Sequence, residues 1–190
     1  MSQQTLPSKP LQILAISGSL RAVSSNTALL RAVAQLAPPQ VSVAFYTGLA
    51  DLPHFNPDLD GDNPPPAVQV LRAEIGRAAG LLISSPEYAH GVPGSLKNAL
   101  DWLVSSVEFP GKPVALLNAS TRATYAQAAL TEILKTMSAR VIEEASITVA
   151  LPRGGTDERA VLADPQIANT LQTALDAFVR AIETYAEPDV

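Results

Sequence analysis

Short apolar runs alternate along the chain with longer stretches in which apolar residues recur every three or four positions. The runs are Leu11–Ile16, Val41–Tyr46, Gly80–Ile83, Pro113–Leu117 and Ile147–Leu151. Each is rich in Leu, Ile or Val and bounded by turn residues, which predicts strands buried on both faces. Between them lie helical patterns. Thr27–Leu36 carries Leu29, Leu30, Val33 and Leu36, and Ala67–Ala79 carries Val68, Leu71 and Ile75. Leu96–Val104 and Ala126–Met137 repeat the same spacing. Asp164 and Pro165 form an N-cap and first-turn pair for a last helix through Ile167, Leu171, Leu175, Phe178 and Ile182. Five strands alternating with five helices predict an α/β fold, a parallel sheet covered on both sides. Ligands in such sheets bind beyond the carboxyl ends of the strands, so the loops after the strands are where chemistry is expected.

The loop after the first strand is "SGSLRAVSSN", Ser17–Asn26. Gly18 allows close backbone approach. Ser19, Ser24, Ser25 and Asn26 supply polar side chains beside the free amides of the next helix, and Arg21 supplies a fork that matches a phosphate. The array suits a terminal phosphate dianion. A strand-to-helix turn with redundant serine caps explains the spacing alone equally well. The spaced glycines of a dinucleotide fingerprint and the G-x-x-x-x-G-K-[ST] pattern of nucleoside triphosphate sites are both missing.

After the third strand comes "SSPEYAHGVPGSLKNALDWL", Ser84–Leu103. It turns at Pro86 and re-enters a helix with Ser95 as the expected N-cap. Tyr88, bracketed by Pro and Gly, could offer a ring face to a planar ligand while the backbone of Glu87–Gly91 meets its polar edge. Trp102 and the helix Ser95–Val104 read as a subunit contact face. The loop after the fourth strand, "NASTRAT" at Asn118–Thr124, repeats the polar theme. The long connection Thr47–Pro66 reads as a wall of the ligand site, and its Asp60–Asp62 triplet as a solvated turn.

Composition narrows the picture. A chain of 190 residues, 47% hydrophobic and 16% charged, suits one soluble domain over residues 11–190 after a loose tail at 1–10. A net charge of -5 argues against nucleic acid, and the apolar runs are too short to span a membrane. "MSQQTLPSKP" reads as no secretory signal, and with no cysteine a cytoplasmic location is expected. Disulfides and thiolate chemistry are excluded, and His54 and His90 do not make a metal site.

The blocks "GSLRAVSSN" at Gly18–Asn26, "LPHFNPD" at Leu52–Asp58 and "PEYAHGVPGSLKNALDWL" at Pro86–Leu103 resemble the NADPH-dependent FMN reductase family, which includes quinone, chromate and azo reductases. The resemblance implies a three-layer flavodoxin-like fold with a five-stranded sheet of order 2-1-3-4-5 and FMN at its switch point. Ser19, Arg21, Ser24 and Asn26 would hold the phosphate, with Ser25 and Thr27 beside them. Pro86, Glu87, Tyr88, His90 and Gly91 would line the flavin ring, Glu87 and Tyr88 largely through their backbone. Ser120, Thr121 and Arg122 would complete the cofactor site. Two departures stand out: His90 replaces the Asn common in the family, and the loop after the fourth strand lacks its usual glycines.

The implied activity passes hydride from NADPH or NADH through bound FMN to a small acceptor, a quinone, azo or nitro compound, chromate or free flavin. The flavin then carries the chemistry, and no side-chain acid or base is needed. Self-association to a dimer or tetramer is expected. The rivals are a flavodoxin-type electron carrier without its own nicotinamide site and a cofactor-free interaction module. A phosphoacceptor domain would need acids where Ser17–Gly18 and Ser84–Ser85 stand, and a serine hydrolase would need a G-x-S-x-G elbow.

Overall fold

The computed structural model describes residues 10–151 and 156–186. The expected tail at 1–10 falls almost wholly outside them. The strands are β1 (Leu11–Ser17), β2 (Val41–Tyr46), β3 (Gly80–Ser84), β4 (Pro113–Asn118), β5 (Arg140–Val141) and β6 (Ile147–Thr148). The helices are α1 (Ser25–Leu36), α2 (Pro66–Arg77), α3 (Gly94–Asp101), α4 (Thr124–Thr136), α5 (Glu158–Leu162) and α6 (Pro165–Ala186). All strand pairs are parallel, in the order β2-β1-β3-β4-β5, which is the order expected, with β6 also paired to β4.

Alternation along the strands divides the core into two layers. Leu14, Ile16, Leu81, Ile83, Val114 and Leu116 face α2, α3 and α4. Ile13, Ala15, Leu82, Ala115 and Leu117 face α1, α5 and α6. β3 and β4 are buried along their whole length, which is why they read as unbroken apolar runs. Asp164 caps α6 as its position predicts: its Oδ1 accepts from the N–H groups of Gln166 at 2.9 Å and Ile167 at 3.3 Å.

Five expectations need correction. The fifth strand is not one run over Ile147–Leu151 but two short pieces, β5 and β6, separated by a 3-10 turn at Glu143–Ala145. The Ser146 hydroxyl accepts from Leu116 N–H at 3.1 Å, so a side chain bridges the interrupted edge. Ser95 does not cap α3. The helix starts at Gly94 with Pro93 at the cap position, two residues earlier, and with no side-chain cap.

Trp102 is not a subunit contact. It is fully buried, packs edge-on to Phe55 with ring centroids 5.0 Å apart, and donates from Nε1 to Pro53 O at 2.8 Å. Asn98 adds two bonds to the same connection, accepting from Phe55 N–H and donating to Pro53 O. The connection 47–66 is therefore locked against α3, and none of its residues lines the cleft described below.

Asp60 is no solvated turn residue either. It pairs with Arg72 at 2.7 Å and accepts the Ser105 hydroxyl at 2.7 Å, while Arg72 also donates to Trp102 O. The Ser105 bond first, and then Arg72, hold the Asp60 carboxyl below its usual 3.8, against the opposing effect of burial.

Two outcomes follow for this lock. Trp102→Ala should lower stability by about 3–5 kcal/mol, read as a shifted denaturant midpoint. Asp60→Asn should lower the melting temperature at pH 7. Because the folded-state pKa is depressed, the carboxylate stabilises above the unfolded value and stops doing so as pH falls through the folded one. The gap between variant and parent should therefore close on acidification.

Candidate active site

At the carboxyl ends of β1, β3 and β4 the loops enclose a cleft of about 480 Å³, within the usual range for small-ligand sites. Its position follows from topology. The chain leaves β1 for β2 on one side and returns to β3 on the other, which opens a crevice where the two directions part. The β1 turn lies flush against β3: Gly18 N–H donates to Ser84 O at 2.8 Å. A β-carbon at Gly18 would lie 2.8 Å from Ser85 Oγ and 3.0 Å from Leu96 Cδ2, so a larger residue would have to displace the Ser85 and Leu96 side chains.

The start of α1 is fastened below this turn. Ser24 is its N-cap and accepts from Thr27 N–H. The Thr27 hydroxyl is hydrogen-bonded to Ser17 at 2.9 Å, and the Ser84 hydroxyl donates to Asn26 Oδ1 at 3.0 Å. Asn26 thus has its acceptor committed, which leaves its Nδ2 donor for the cleft it lines. No acid sits in the first turn of α1, so the positive end of that helix is uncompensated. Arg21 is exposed on the cleft wall, and no carboxylate lies within ion-pair distance of it among the described residues.

The β3 loop forms the next wall. Tyr88 and Gly91 exchange both backbone bonds, a hairpin turn whose central residues Ala89 (φ 49°) and His90 (φ 57°) are both left-handed. This turn favours Asn and Gly at those places. The Glu87 carboxylate accepts from Ala126 N–H at 2.8 Å, supplying α4 with the cap that its own N-cap residue, Ala123, lacks. His90 stacks on Tyr125 with centroids 4.2 Å apart and planes 18° from parallel. The hairpin is thereby clamped to the first turn of α4, and the Glu87 side chain is spent on the clamp.

The β4 loop is built without glycine because it needs none: no residue of 118–124 has a positive φ. Asn118 holds it at both ends, accepting from Ser120 N–H at 3.1 Å and donating to Ala123 O at 3.3 Å.

Among the expected site residues, Ser19, Arg21, Ser24, Ser25, Asn26, Pro86, Glu87, Tyr88, Ser120 and Arg122 line this one cleft. Thr27, His90 and Gly91 do not, and Thr121 lines a separate surface groove along α4. Ser85, Asn118, Ala119, Ala123 and Leu151 line it unforeseen. Ser85 and Asn118 stand at strand ends and could have been found there. Leu151 arrives from beyond β6 and left no signal.

A sheet of this order with its cleft at the switch point defines a flavodoxin-like α/β fold. Residues 11–152 match the model of the NADPH-dependent FMN reductase family. The chain is 33% identical to an NAD(P)H-dependent FMN reductase of Pseudomonas aeruginosa over 90% of its own length and 95% of the relative's. It is 32% identical to a quinone reductase of Escherichia coli, covering 95% of this chain and 96% of that one. FerB, a flavoenzyme NAD(P)H:(acceptor) oxidoreductase from Paracoccus denitrificans, superposes with a TM-score of 0.80 at 30% identity, over 91% of this chain and 97% of FerB. The chain belongs to the NADPH-dependent FMN reductase family and is an oxidoreductase of that class, with FMN as cofactor and NAD(P)H as co-substrate. No helix among the described residues is long and apolar enough to cross a membrane.

Left-handed backbone costs an alanine about 1–2 kcal/mol, partly offset in any glycine replacement by unfolded-chain entropy. Ala89→Gly should accordingly raise stability by about 0.5–1 kcal/mol, measured as a higher melting temperature of the apoprotein.

Proposed function

We propose that the cleft holds FMN with its phosphate in the β1 turn and its ring along the β3 hairpin, and that NAD(P)H and a small acceptor such as a quinone use the open ring face in turn. The observation that carries this reading is the donor set of the β1 turn. A guanidinium with no carboxylate in ion-pair distance among the described residues, an oriented amide donor, three serine hydroxyls and an uncompensated helix end line one side of the cleft. That chemistry suits a dianion better than a neutral group.

When bound, FMN supplies the redox chemistry, accepting two electrons as hydride and releasing them to an acceptor. The chain's own residues bind and orient. Arg21, Ser19, Ser24, Ser25 and Asn26 fix the phosphate end. Pro86 and the backbone of Glu87 and Tyr88 support the ring, held still by the tie from Glu87 to α4. The half-exposed Tyr88 ring leaves one side open for substrates to stack, where closeness rather than a proton carrier governs the rate.

Residues 11–190 act in this reading as one domain, in the cytoplasm and as a dimer or tetramer. Titration with FMN followed by NADPH under nitrogen tests it. Loss of the bound flavin's visible absorption is expected, and its return when a quinone is added. Binding without reduction would favour an electron carrier, and no binding an interaction module. Arg21→Ala should weaken FMN affinity about 10–100-fold, as for a charged hydrogen bond left unmade, while shifting apoprotein stability by less than about 0.5 kcal/mol.

A further inference from the structure

The turns after β1 and β4 share one backbone device. After β1, Ser19 N–H donates to Ser17 Oγ at 3.3 Å and Arg21 N–H to Ser19 Oγ at 3.4 Å. After β4, Ser120 N–H donates to Asn118 Oδ1 at 3.1 Å and Arg122 N–H to Ser120 Oγ at 3.2 Å. In both, a polar residue at the strand end catches the residue two ahead, and a serine catches the arginine beyond it. Both arginines line the same cleft, and among the described residues neither has a carboxylate within ion-pair distance. β1 and β4 are two places apart in the sheet, roughly 10 Å by ordinary strand spacing.

FMN carries a single phosphate, which on the reading above belongs to the β1 turn. Across β3, Arg122 follows the same backbone turn and lines the same cleft, which leaves its guanidinium available to a second anion. A quinone has no charge to offer, whereas a nicotinamide dinucleotide brings a pyrophosphate. The N-terminus of α4 does not compete for it, because the Glu87 carboxylate already occupies Ala126 N–H and places negative charge there. An anion at this end would be met by a side chain.

We propose that Arg122 receives a phosphate of the nicotinamide dinucleotide donor, so that the glycine-free β4 turn is a donor-recognition element. This rests on the cleft being the FMN site. Arg122 takes no part in hydride transfer. It raises the occupancy of the donor, and so acts on KM.

The test compares FMN-loaded parent, Arg122→Ala and Arg122→Lys, with NADH, NADPH and the phosphate-free 1-benzyl-1,4-dihydronicotinamide as donors. FMN affinity is measured on each protein alongside. Arg122→Ala should raise KM for NADH and NADPH about tenfold relative to KM for the phosphate-free donor, the scale of one lost charged contact near solvent. Arg122→Lys should recover part of that loss. If the alanine variant does not fold, Arg122→Gln carries the same expectation. A rise confined to NADPH also supports the proposal and places the contact at its additional phosphate. Equal rises for all three donors, or a loss of FMN affinity that accounts for them, would mean that Arg122 serves the flavin or the loop, and the proposal falls. Unchanged KM for both dinucleotides overturns it alone. A parent that takes up no FMN, or is reduced by none of the donors, overturns the reading of the cleft and this proposal with it.

Discussion

The hydrogen bond from Gly18 N–H to Ser84 O holds the first turn flat against the end of β3, and the cleft depends on it. Position 18 carries no β-carbon, which would otherwise meet the Ser85 hydroxyl at 2.8 Å and push it aside. With the turn pressed down, its outward side is left to Ser19, Arg21 and the start of α1, while the inward side is sealed by Ser17 with Thr27 and by Ser84 with Asn26. Part of a run that looked like uniform hydroxyl-rich loop thus divides into fasteners and presented groups. The β1–β3 junction converts a local turn into one wall of a site shared with the loops after β3 and β4.

Those other two loops reach order by opposite means. The β3 hairpin accepts two left-handed residues, Ala89 and His90, where glycine or asparagine would be easier. It is then over-determined by the His90–Tyr125 stack and the Glu87 bond to α4. Such strain persists only where the surroundings impose it, and here they hold the hairpin against the helix that opens at the β4 loop. The β4 loop needs no left-handed residue at all, so serine, threonine and arginine can stand in it. The chain thereby gains a cation in the cleft that a glycine loop could not supply.

Much of the fold was legible because strands buried on both faces leave unbroken apolar runs. Four strands begin or end within a residue of where the pattern puts them, and the helical spacing finds α1, α2, α4 and α6 nearly in full. The edge was harder. β5 and β6 have two residues each, too short for periodicity, and Arg140–Val141 carries no apolar run. Trp102 was misassigned because exposure depends on a partner 49 residues away, Pro53, which no local pattern reveals. Asp60 failed likewise, its partners Arg72 and Ser105 lying on elements that only folding brings together. Within the site, strand-end loops were found and their long-range ties were not. Asn26 and Thr27 read as ligands by type, while the structure commits part of each to the sheet.

The central claim is that the β1 turn recognises a phosphate dianion and that FMN is held by it. Fluorescence titration of the apoprotein with FMN and with riboflavin, identical rings with and without the phosphate, tests it most directly. FMN should bind about 100-fold more tightly or better, the scale of two or more charged hydrogen bonds. Equal affinity for the two would show that the turn after β1 holds no phosphate, and would contradict the account.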